Sequence, residues 1–176
     1  MINPKQMRTW KLLGNITLTI YIGIMVYFLF LADMFHRGEI ASSYRYNLVP
    51  FREISRMPLL LKYLGFWPAF INVFGNVIVF IPLGFFLPFL VRKLRKWYAT
   101  ALLCFELTFL VEIIQLITKV GVFDVDDMIL NLLGGIIGYV IFCLIFRVYV
   151  RHQLKVRRQE REEAKKESLA LKGKQE

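Results

Sequence analysis

Residues 112–138 read EIIQLITKVGVFDVDDMILNLLGGIIG, and the solvent assigned to this stretch decides the fold. Glu112 and Gln115 lie in one apolar run, Asp124, Asp126 and Asp127 in a short break, and Asn131, Gly134, Gly135 and Gly138 in the next apolar run. In a water-soluble protein such groups would be wetted on a surface or gathered in a cleft. If the flanking runs cross a bilayer, an ionisable side chain at mid-depth costs about 2.5–3.5 kcal/mol on insertion scales and persists where it is paired or used.

The rest of the chain selects the bilayer. Apolar residues make up 57% of the 176 residues, above the roughly 45–50% usual for soluble domains. They are gathered into four blocks at about 12–32, 69–91, 98–118 and 128–150, each long enough for the ~20 residues that a helix needs to cross the hydrocarbon. The expectation is an all-α membrane protein. Residues 1–150 form a bundle of four transmembrane helices, and residues 151–176 a basic cytoplasmic tail. The start MINPKQMRTWK is basic, but the block after it spans a bilayer and lacks a small-residue cleavage site, so it reads as an uncleaved first helix. The long connection at 33–68 carries charges of both signs, Pro50, Pro58, Pro68 and many aromatics, which suits a segment at the membrane interface.

A net charge of +10 invites a nucleic-acid reading. The cations instead sit at block edges, as in RKLRKW at 92–97, and in the tail RHQLKVRRQEREEAKKE. That placement fits positive-inside topology and a solvated helix beside anionic lipid, and no nucleic-acid partner is expected. Both termini are then cytoplasmic and the aspartate break lies outside. Cys104 and Cys143 fall inside apolar blocks as small apolar residues, and His36 and His152 belong to no metal or triad motif. No cofactor and no metal are expected. Three carboxylates in four residues suit a hard cation, but the spacing is not that of an EF-hand loop, and Asp126 or Asp127 capping the fourth helix is the competing use.

Helical spacing places Asn72, Gly75 and Asn76 on one face of the second helix and Thr108, Glu112 and Gln115 on one face of the third, with Glu106 elsewhere. Asn131, Gly134, Gly135 and Gly138 stripe the fourth. At about 1.5 Å of rise per residue, Asn72, Asn76, Glu112, Gln115 and Asn131 lie within roughly 10 Å of the outer helix ends. The expectation is an outward-facing polar pocket lined from three helices. Gly134 and Gly138 form a GxxxG pair that admits a close neighbour, here expected to offer a homo-oligomer interface.

The motifs YRYNLVPF at 44–51, NVFGNVIVFIPLG at 72–84, and EIIQ at 112–115 followed by FDVDDMILNLLGGIIGY at 123–139 together resemble the VanZ-like family. These are small bacterial polytopic membrane proteins associated with teicoplanin resistance. The resemblance adds Arg45 and Asn47 to the polar set, so that the implied ligand-binding residues are Arg45, Asn47, Asn72, Asn76, Glu112, Gln115, Asp124, Asp127 and Asn131. It also marks Pro50, Phe51, Pro82, Gly84, Gly134 and Gly138. Many members carry an arginine about six residues after the glutamine, where this chain has Gly121; Lys119 and Arg45 are the candidate substitutes. The resemblance implies a multi-pass protein of the bacterial cell membrane, surrounded by membrane lipids. It would bind an envelope lipid or cell-wall precursor and lower sensitivity to lipoglycopeptides. Two alternatives stand beside this non-enzymatic reading: an enzyme acting on a lipid-linked substrate with Glu112 or Asp127 as general acid or base, and a small oligomeric transporter subunit.

Overall fold

A computed structural model of the chain describes residues 4–27 and 43–172. The elements in order are α1 (Pro4–Val26), β1 (Tyr46–Asn47), α2 (Arg52–Leu64), α3 (Phe66–Leu90), a 3-10 turn (Arg92–Arg95), α4 (Trp97–Thr118), β2 (Phe123–Asp124) and α5 (Val125–Lys172). Four of the helices are long and apolar enough to cross a membrane: Arg8–Val26, Val73–Leu90, Trp97–Thr118 and Val125–Lys166. Large apolar side chains along them point outward, with Ile78 53%, Leu102 58% and Ile117 67% exposed. Such surfaces suit lipid, in which helices satisfy all their own backbone hydrogen bonds.

The expected block at 69–91 corresponds to α3 and that at 98–118 to α4. The first helix begins at Pro4, ahead of the apolar block, and residues 28–32 of the expected span lie outside the described residues. The helix expected over 128–150 begins at Val125 and continues to Lys172. Between Tyr139 and Lys172 there is neither glycine nor proline, and the tail is rich in helix formers with pairs such as Glu162 and Lys166 four apart. Residues 1–142 and 143–176 form two compact units, the second being the distal part of this helix.

In the first unit, α1 contributes Leu18, Tyr21 and Met25 to a cluster with Phe80 and Leu83 of α3 and Cys104 of α4. Gly14 of α1 lies against Phe89 and Leu90, so α1 runs antiparallel to α3. Val73 and Val77 of α3 meet Leu130 of α5, with Met57 of α2 packed against them. The α3–α5 crossing is closer still. A Cβ added to Gly84 would lie 1.9 Å from the Gly135 carbonyl oxygen, one on Gly134 2.1 Å from that of Val77, and one on Gly138 2.0 Å from that of Ile81. The two helices therefore touch backbone to backbone, the packing that small residues four apart allow. Gly134 and Gly138 thus face α3 of their own chain, and a second copy could reach them only by displacing it.

The all-helical expectation omits one feature. Tyr46–Asn47 and Phe123–Asp124 pair as a two-residue parallel ladder, Tyr46 opposite Phe123 and Asn47 opposite Asp124. It ties the connection after α1 to the turn between α4 and α5.

Candidate functional site at the Asp124 turn

Helix α4 ends at Lys119, which adopts the left-handed conformation (φ 59°) and donates its N–H to the Leu116 carbonyl at 3.2 Å. The chain then turns through Gly121 into β2. The Phe123 N–H donates to the Arg45 carbonyl at 3.0 Å, and Asp124 follows as the residue immediately before α5.

Asp124 is the hub. Its Oδ1 accepts the Asp126 N–H at 2.8 Å, the bond by which a residue at the helix entrance satisfies an orphan donor of the first turn. The Asn47 amide donates to both carboxylate oxygens of Asp124 at 3.1 Å. The Asp124 N–H donates to Glu112 Oε2 at 2.8 Å. Asn47, Glu112 and Asp124 are all buried, Glu112 with 2% of its surface exposed. Asp126 and Asp127, one of which was a candidate cap, do other work. Asp126 is buried and accepts the Phe51 N–H, while Asp127, half-buried, accepts the Asn76 amide of α3. Four carboxylates therefore sit together, each holding at least one N–H donor, and Asp126 and Asp127 lie in the first turn of α5, where the helix dipole favours negative charge. Among the described residues no three or more acid, histidine or cysteine side chains are arranged to hold a metal ion.

One turn deeper, the Asn131 amide donates to Thr108 Oγ1 at 2.8 Å, both residues being buried. Asn131 Oδ1 is buried with no hydrogen-bond partner among the described residues. Thr108 shares the helix face of Glu112, which is the signal that marks it. A double-mutant cycle of Thr108→Val and Asn131→Leu is expected to give a coupling near 0.6 kcal/mol, the usual size for an interhelical bond in a membrane; thermal unfolding in detergent measures it.

The remaining expected site residues are placed differently. Arg45 joins the turn through its main chain, and its side chain is exposed. The Gln115 side chain lies over Gly121, where an added Cβ would come within 3.1 Å of it. It fills the space that a larger residue at 121 would need. Asn72 lies on α3, but its side chain falls outside the described residues. One contributor missed in the sequence is Arg52, whose Nη1 lies 3.4 Å from Asn47 Oδ1, and Phe51, marked by the resemblance, joins through its main chain. Phe51 adopts a left-handed φ of 62° at the entrance to α2, and its N–H is fixed on Asp126. The polar set is thus a network that clips residues 45–51 onto the turn between α4 and α5 and the start of α5, with Asn76 of α3 bound to α5 beside them.

Comparison with curated proteins and with solved structures gave no match. The sequence profile of the VanZ/LLP1 family matches residues 18–147, a range that contains β1, β2, the α3–α5 crossing and every residue of the Asp124 network. The match covers well over half of the chain, and the chain accordingly belongs to the VanZ/LLP1 family.

Proposed function

We propose that this protein resides in the bacterial cell membrane and binds an amphiphilic envelope component at the bundle end built around Asp124, thereby lowering sensitivity to teicoplanin-type lipoglycopeptides. In this reading both termini, the turn at 92–97 and the basic tail are cytoplasmic, as the positive-inside rule prefers. The Asp124 end then faces the exterior. The observation that carries the reading is convergence: three helices and the connection before α2 deliver hydrogen-bonded polar groups to one end of an otherwise apolar bundle. The family association with teicoplanin resistance supplies the physiological setting.

Binding is favoured over catalysis because the carboxylates are committed. Glu112 is 2% exposed and holds the Asp124 N–H, and Asp127 holds the Asn76 amide, whereas a general acid or base must reach its substrate within hydrogen-bond distance. Deleting the gene and re-supplying it on a plasmid tests the reading. Deletion is expected to raise susceptibility to teicoplanin-type agents several-fold, the intact gene to restore resistance, and an Asp124→Ala copy to fail. Unchanged susceptibility across a panel of such agents would overturn the physiological part.

A further inference from the structure

At the Asp124 end the buried and exposed groups differ in kind. The carboxylates are turned inward and hold N–H donors. The surface above them is cationic and aromatic: Arg45 and Arg52 are exposed, as are Tyr44 (61%), Tyr46 (66%) and Phe51 (59%). Lys119 is half-buried, with Nζ 4.8 Å from the centroid of the Tyr44 ring. The residues exposed at this end are therefore a different set from the buried acids and amides that the sequence singles out.

The fold joins the segments that carry these three cations. Arg45 immediately precedes β1 and accepts the Phe123 N–H at 3.0 Å. Lys119 stands four residues before Phe123, at the left-handed end of α4. Arg52 reaches Asn47 Oδ1 at 3.4 Å, and the Asn47 amide is in turn fixed on Asp124. Segments 44–52 and 119–124 are thus one clipped surface with three cationic side chains. Guanidinium groups match phosphate oxygens through paired, charge-assisted hydrogen bonds, and tyrosine rings settle at headgroup level. The start of α3 adds an apolar flank at the same end: Trp67 is 69% exposed, and Phe70 and Phe74 stack at 4.7 Å.

We infer that Arg45, Arg52 and Lys119 form a binding site for the phosphate of an anionic phospholipid headgroup, with the Tyr44 and Tyr46 rings beside it. This deepens the proposed function, on which it rests for its physiological meaning, by giving the amphiphile a charge and a place. The acids beneath serve as the floor that holds the three cations in register.

The test is native mass spectrometry of the full chain in detergent, with phosphatidylglycerol or phosphatidylcholine of identical acyl chains added at equal concentration. The wild type is expected to retain phosphatidylglycerol in preference. At about fivefold per cation near an anionic surface, Arg45→Gln alone should weaken that preference roughly fivefold. The triple variant Arg45→Gln, Arg52→Gln, Lys119→Gln should weaken it by about a hundredfold. A tail variant, Arg151→Gln with Lys155→Gln and Arg158→Gln, should keep the preference and serves as the control for general basicity. Equal retention of both lipids by the wild type, or a preference untouched in the single and triple variants, would overturn the site. Arg45→Gln keeps the proposal testable should the triple variant fold poorly, since it leaves the Arg52–Asn47 contact in place. Loss of resistance on gene deletion together with no lipid preference would remove this site and leave the proposed function standing; the reverse pair of results would do the opposite.

Discussion

Replacing Gly138 with leucine is expected to abolish accumulation of folded protein. A Cβ at this position would lie 2.0 Å from the Ile81 carbonyl oxygen and 2.9 Å from the Phe85 nitrogen. Both are backbone atoms inside α3, so no side chain can swing away to make room. The helices would have to part, and that would also open the crossings at Gly84 and Gly134. Overpacking a tight interior typically costs about 1–3 kcal/mol and sometimes more, a large share of a total stability of roughly 5–15 kcal/mol. Gly138→Ala should accordingly lower the thermal midpoint markedly, and Gly138→Leu should yield aggregate on size-exclusion chromatography in detergent. Gly23 is the matched control, with nothing among the described residues within 4 Å of an added Cβ. Gly23→Ala should leave the midpoint unchanged or raise it, since alanine favours a helix over glycine by about 1 kcal/mol.

The second large effect belongs to Asp124. Asp124→Ala strips partners from the Asn47 amide and from the Asp126 N–H, and a buried donor left unsatisfied costs about 1–3 kcal/mol. The clip over residues 45–51 then loses its anchor, while α3, α4 and α5 keep their apolar contacts. The expected result is local opening without global unfolding. A loss of about 2 kcal/mol multiplies the open population roughly 30-fold. Trypsin cleavage after Arg45 and Arg52, measured on purified protein in detergent, should accelerate to match, with the helical circular dichroism retained. Asp124→Asn should fall between the two, because its oxygen can still accept the Asp126 N–H while its amide nitrogen opposes a second donor on Asn47. Cleavage at the wild-type rate in Asp124→Ala would show that the network does not hold the clip.

These two residues also mark where the sequence is legible and where it is not. The spans declare themselves because apolar length is a property of consecutive residues, and Gly134 and Gly138 declare a close approach through their spacing alone. That the approaching helix is α3 of the same chain depends on Gly84, Val77 and Ile81, some fifty residues away, and no local pattern reveals that partner. The β1–β2 pair is hidden for a similar reason: two-residue strands have no periodicity to read. Among the aspartates, all three carry the same chemistry in the same short break, and only the position at which α5 begins distinguishes the capping Asp124 from Asp126 and Asp127. The polar residues were visible as a group. Their pairing with one another was not.

Which side of the membrane the Asp124 end faces decides whether it can meet an envelope ligand, and labelling by a membrane-impermeant maleimide on intact cells addresses this directly. Leu48, 59% exposed beside the clip, is replaced in one chain by Leu48→Cys; Gln159, exposed on the distal part of α5, is replaced in another by Gln159→Cys. The native Cys104 and Cys143 lie within the apolar helices and provide the unlabelled background. The Leu48→Cys chain is expected to react on intact cells and the Gln159→Cys chain only after permeabilisation. Labelling of Gln159→Cys on intact cells, with Leu48→Cys protected until permeabilisation, would contradict this orientation.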